Sequence, residues 1–176
     1  MKKLSAFAFV ILFFFSSNSL AQTTINAGMQ FPSGNTKDAL NNGYGGSLSF
    51  GFSLPILPLS LAISAGYNTW KYNDNTLLSG NKFYVVPVML GVRFFSPGVG
   101  LKTYVGGDVG AAYYDSNAPG SNSSTKFAFS PVLGLRFNLS PVGTLALDLN
   151  ARYWVISQSG STINWFGING GVSFGL

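Results

Sequence analysis

From Thr144 to Ile156 the chain changes character at every residue. Leu145, Leu147, Leu149, Ala151, Tyr153 and Val155 are apolar or aromatic, with Ala146, Asp148, Asn150, Arg152 and Trp154 between them. A period of two places alternate side chains on opposite faces, which is the mark of a strand. The stretch Leu101 to Tyr113 repeats it: Leu101, Thr103, Val105, Gly107, Val109, Ala111 and Tyr113 form one row, and Lys102, Tyr104, Gly106, Asp108, Gly110 and Ala112 the other. Six further segments follow suit, namely Ile25–Phe31, Tyr44–Leu54, Leu59–Asn68, Tyr84–Phe94, Phe127–Asn138 and Trp165–Leu176. The pattern predicts an all-β chain of eight strands, each of about 9–14 residues, close to the length that crosses a bilayer at a tilt.

The connections alternate in length. Pro55-Ile56-Leu57-Pro58, Ser96-Pro97-Gly98-Val99 and Ser140-Pro141-Val142-Gly143 read as short turns rich in Pro and Gly. Longer polar loops are expected near Ser33–Asn42, Asn73–Gly80, Asp115–Ser124 and Ser157–Thr162. Lys82-Phe83…Pro87-Val88…Arg93-Phe94 is echoed about 44 residues later by Lys126-Phe127…Pro131-Val132…Arg136-Phe137. Either a hairpin duplication or shared demands of position would produce it. Two copies do not make a solenoid.

The first residues stand apart. Lys2 and Lys3 precede the apolar run Ala6–Phe15, and Ser19 and Ala21 supply small residues before Gln22. This is the secretory signal pattern, expected to span residues 1–21 with cleavage after Ala21. The apolar run is too short to span a membrane as a helix. Removing the two lysines lowers the net charge from +5 to +3, too little to argue for a nucleic-acid partner. With no cysteine, neither a lipoprotein anchor nor a disulfide framework is available. The barrel domain is then 22–176.

Composition changes the picture again. Charged residues are 9% of the chain and hydrophobic residues 47%, against about a quarter charged in soluble domains. The more polar row of each strand is mostly Gly, Ser, Ala and Asn, a poor water-facing surface. Eight strands leave an interior just wide enough for side chains to fill, so the small row is expected inside and the apolar row outside. The outer row ends in aromatics. Tyr67, Tyr84, Tyr113, Tyr153 and Phe166 lie toward the long-loop end, and Phe50, Phe52, Phe94, Phe137 and Phe174 toward the short-turn end. Two aromatic bands around an aliphatic belt are expected as interfacial girdles of a transmembrane barrel, and closure leaves no strand edge unpaired in hydrocarbon.

On these features, and on the ending Phe166-Gly167-Ile168-Asn169-Gly170-Gly171-Val172-Ser173-Phe174-Gly175-Leu176, the chain resembles the small bacterial outer-membrane β-barrel proteins, including OmpA/OmpX-type barrels and opacity-type adhesins. The resemblance covers the whole mature chain. It implies an eight-stranded antiparallel up-and-down barrel in the outer membrane, inserted by the barrel-assembly machinery. It also implies periplasmic termini and short turns, and longer loops outside. Expected partners are outer-membrane lipids and lipopolysaccharide, with no nucleic acid, and the barrel is expected to be monomeric.

Some barrels of this architecture are enzymes. This chain contains no His, Glu or Cys, so a serine hydrolase with a histidine base cannot be built and zinc has no ligand set. Calcium at Asp74 or Asp115 lacks clustered carboxylates. No catalytic, cofactor or metal site is expected. The charged residues of the inner row are the specific feature: Arg93, Lys102, Arg136 and Arg152 with Asp108 and Asp148. Arg136 and Asp148 face each other if paired positions sum to 284. The six are expected to form a structural charge network that plugs the lumen. Asp148→Ala should then destabilise the barrel by leaving Arg136 unpaired; an unchanged heat-induced gel shift and melting profile would sink that expectation. The function expected is a structural or surface-interaction barrel, although loops of about six to ten residues are short for an adhesin. The alternative is a narrow porin-like channel for small solutes.

Overall fold

The computed structural model describes residues 21–54, 57–98, 100–140, 144–158 and 160–175. The strands are β1 (Ala21–Ser33), β2 (Gly43–Ser53), β3 (Leu59–Lys71), β4 (Lys82–Phe95), β5 (Leu101–Ser116), β6 (Ser124–Asn138), β7 (Leu145–Gln158) and β8 (Ser161–Gly175). Each pairs antiparallel with its sequence neighbour, and β8 closes on β1. The all-β, eight-stranded up-and-down barrel expected from the period is the fold observed. The leader lies, apart from Ala21, outside the described residues, as do parts of all three short turns. Ala21 is the first residue of β1, opposite Phe52.

The alternation works as an inside–outside code. Leu90 on β4 is 62% exposed while Met89 beside it is 1% exposed, and the same step recurs at Leu133 and Val132 on β6. The outer aliphatic surface has no partner among the described residues, and every strand edge is hydrogen-bonded to a neighbour. That combination suits hydrocarbon, where an unpaired backbone group is costly. All ten girdle aromatics stand on the outer face, exposed or half-buried. Tyr67 stacks on Tyr84 with centroids 5.9 Å apart, and Tyr113 follows at 6.3 Å. Three adjacent strands thus carry a continuous tyrosine row.

Three details depart from expectation. First, the connection near Ser157–Thr162 is not a long loop: Gln158 pairs with Ser161, and Gly160 supplies the positive φ (82°) that a tight hairpin needs. Second, Asp115 belongs to β5 rather than to a loop. Its Oδ2 accepts the hydroxyls of Tyr84 (3.0 Å) and Tyr113 (3.2 Å). Third, the β1–β2 connection contains a short 3-10 helix, Gly34–Asp38. Asn73 Nδ2 donates to the carbonyls of Lys37 and Asp38, and Leu40 forms a bridge with Tyr72. The segment is thereby tied down over the barrel end.

The echo between β4 and β6 shows both phases. Phe83 points inward, 9% exposed, whereas Phe127 points outward, 61% exposed. Met89 has no counterpart in the second copy, and that one residue brings Arg93 and Arg136 back onto the same inner face. Shared positional demand therefore explains the Gly-x-Arg-Phe portion but not Lys-Phe, where the demands are opposite.

Candidate functional site

The lumen is built from the inward rows, and its two halves differ in chemistry. The short-turn half is polar and charged. Asp108 on β5 receives Arg93 from β4, whose Nη2 lies 2.7 Å from Oδ1, and Arg152 from β7, whose Nη1 lies 2.5 Å from Oδ2. Arg93 also donates to the carbonyl of Val92 at 3.0 Å. On the neighbouring strands β6 and β7, Arg136 reaches Asp148 through Nε (3.3 Å) and Nη2 (3.1 Å), and its Nη1 donates to Gln22 Oε1. The register sets Arg136 directly across from Asp148. The guanidinium lies over the Phe95 ring at 4.9 Å, a cation–π contact. Lys102 sits beside Arg136 across β5–β6, at the rim, and pairs with no carboxylate among the described residues. Five of the six expected lumen charges therefore meet in two groups, and Lys102 stands apart.

Inner glycines make room for these long side chains. A Cβ on Gly91 would lie 1.8 Å from Asp108 Oδ1, and one on Gly134 would lie 2.2 Å from Cζ of Tyr104. Tyr104 is buried and donates its hydroxyl to Asp148 Oδ1 at 2.9 Å, so its ring cannot swing aside without losing that bond. Gly134→Ala is expected to cost about 1–3 kcal/mol as overpacking, read as a lowered urea midpoint of the refolded barrel. Full wild-type stability would show that the ring moves freely.

The long-loop half is apolar, which the sequence reading of small residues and a few charges did not anticipate. Trp154 and Trp165 stack with centroids 5.2 Å apart, and Trp70 meets Trp165 edge-on at 5.1 Å. Phe83, Val85, Met89, Ala112, Ala128 and Ile156 pack with them, and Leu40 from the β1–β2 connection closes the cluster. The signal was present as three tryptophans of inward parity. A hydrogen-bonded column joins the two halves. Trp165 Nε1 donates to Gln30 Oε1 (3.1 Å), Gln30 to Asn169 (2.9 Å), Asn169 to Asn150 (3.1 Å), and Asn150 to Asp148 (2.9 Å). Asn150 also accepts from Arg152 Nε and donates to Asn26. These amides satisfy one another where water is scarce.

Neither carboxylate of the lumen is placed for acid–base work. Asp108 is held between two guanidiniums, and Asp148 by Arg136, Tyr104 and Asn150. Among the described residues no group of three or more potential metal ligands gathers, and Asp74 accepts only from Ser79 nearby. Among the described residues, three cavities follow one another along the lumen. One of about 300 Å³ opens at the short-turn end, lined by Gln22, Phe95, Lys102, Arg136 and Asn138 among others. Beneath it is one of about 30 Å³ beside the arginines, and beyond that one of about 20 Å³ beside Trp154 and Asn169.

Solved structures share this architecture. The chain is similar to Neisserial surface protein A (16% identity over 89% of this chain and 97% of that one, TM-score 0.71). It is also similar to Ail of Yersinia pestis, solved with the heparin analogue sucrose octasulfate (15%, 90% and 100%, TM-score 0.60). The outer membrane enzyme PagL matches more loosely (14%, 88% and 99%, TM-score 0.53). At such identities the likeness establishes the fold alone. No curated protein sequence matches the chain. The family model of the outer membrane protein beta-barrel domain matches residues 7–175. With the closed eight-stranded barrel and its apolar outer belt, that match places the chain in the outer membrane protein beta-barrel domain family.

Proposed function

We propose that this protein is a non-enzymatic barrel of the bacterial outer membrane, with a lumen closed by its own side chains and a role exercised at its surface. The observation that carries this reading is the continuous column from Arg136–Asp148 to the tryptophan cluster. It leaves internal cavities of only about 30 and 20 Å³ between the open vestibule and the far end. A water needs about 10–15 Å³, so each holds only a few waters and neither spans the barrel. The absence of His, Glu and Cys from the sequence supports the non-enzymatic part.

In this reading the termini and short turns face the periplasm, and the connections 34–42, 72–81 and 117–123 face outward. Lys71 and Lys82 support lipopolysaccharide as the lipid partner. They are directly paired across β3–β4, both exposed, two residues beyond the Tyr84 position of the girdle. Like charges side by side are unfavourable unless an anionic headgroup bridges them. The test is planar-bilayer recording on refolded, heat-modifiable protein. The barrel is expected to stay silent under applied voltage; regular conductance steps would favour the narrow-porin alternative and overturn the closed-lumen reading.

A further inference from the structure

The short-turn half of the lumen holds more positive than negative charge. Arg93 and Arg152, each 7% exposed, share the single carboxylate of Asp108, while Arg136 is matched by Asp148 and Lys102 by no carboxylate among the described residues. Four cations therefore face two anions. At the rim water can solvate Lys102. The second guanidinium on Asp108 is buried, where an uncompensated charge is strongly unfavourable. A neutral water cannot supply the missing charge.

The cavity of about 30 Å³ lies where that charge would be placed. Arg93, Arg136 and Arg152 all line it, together with the hydroxyl-bearing Thr24 and Ser60, and Asp148 is its one carboxylate. Its size admits about two or three water-sized guests, which suits a monatomic anion. It shares Gln22, Phe95 and Arg136 with the open vestibule, where Lys102 stands beside Arg136. Two adjacent cations at an entrance raise the local concentration of anions. We propose that this cavity binds a halide ion, chloride in practice, admitted through the vestibule and held by the arginines as the missing counter-charge. The proposal concerns the resting barrel and does not depend on whether the lumen conducts.

The test uses the refolded full barrel in a non-ionic detergent at fixed pH and fixed sodium concentration. Sodium chloride is exchanged for sodium gluconate, whose anion is too large for the cavity. Chloride is expected to raise the unfolding midpoint saturably, because a ligand of the native state stabilises it by mass action. Protein should also broaden the chloride NMR line, with bromide reversing the effect. Gln22→Glu places a carboxylate at the cavity edge with almost no change of shape. It should weaken chloride binding at least about tenfold by supplying the charge covalently. Ser49→Asp, in the same wall, serves if the first variant does not refold. Equal midpoints in chloride and gluconate, or an unchanged chloride response in the refolded carboxylate variant, would overturn the proposal.

Discussion

Asp108→Ala is expected to lower the unfolding free energy of the barrel by about 3–5 kcal/mol, the range for removing one partner of a buried ion pair. The size follows from what remains. Arg93 and Arg152 converge on this one carboxylate from β4 and β7, so its loss strands two buried guanidiniums and brings their like charges face to face. Asp148→Ala should cost less, about 1–3 kcal/mol. Arg136 keeps Gln22 and the Phe95 ring, and its side chain, 14% exposed, borders the open vestibule. Urea titration of the refolded proteins, followed by the heat-dependent gel shift, measures both. Asp108→Asn keeps the shape and removes the charge; it should fall close to Asp108→Ala if charge is the cause. Equal, small losses for Asp108→Ala and Asp148→Ala would contradict the two-on-one arrangement.

The difference between these carboxylates also marks what could be read from the chain. Arg136 and Asp148 lie on one hairpin with a short turn, so counting back from the turn places them opposite, as the register does. Arg93 meets Asp108 only because Gly91 stands opposite Asp108 and leaves room for a diagonal contact. Arg152 meets Asp108 from two strands away, over β6, a contact that pairing within any one hairpin does not reveal. Alternation reports which face a residue occupies and not its height along the axis. Trp154 and Trp165 were therefore legible as members of the inner row, but their meeting with Trp70 from β3 was not. Height is set by the stagger accumulated around the barrel. The outer surface was more legible because lipid asks the same of every outward position. Girdle residues such as Tyr84 and Phe94 could be assigned from parity and distance to a turn. The strand ends were least legible. Near Ser157–Thr162 polar residues read as loop, yet the backbone pairs down to Gln158 and Ser161, since outside hydrocarbon a strand needs no apolar row.

Trp165→Ala should have an effect as large as the loss of Asp108, for a different reason. The indole is 1% exposed, stacked on Trp154 and touched edge-on by Trp70. Deleting it opens a void that these rings, fixed to rigid strands, cannot fill, and burial of this kind is worth about 3–5 kcal/mol for Trp→Ala. The column suffers as well, because Gln30 Oε1 loses the indole donor at the point where the apolar half joins the polar half. Trp165→Phe separates the contributions. It retains an aromatic ring against Trp154 and removes the N–H, so it should cost about 1–3 kcal/mol, the range for leaving a buried acceptor without its partner. Circular dichroism supplies a second readout, since two indoles stacked at 5.2 Å and 10° couple their transitions. The coupled band should vanish in both variants, whereas the unfolding midpoint falls far more in the alanine variant. A coupled band that persisted in Trp165→Ala would mean that the stacked pair does not involve this residue. Midpoints that fell equally would mean that the polar junction at Gln30, and not the packing, dominates this half of the lumen.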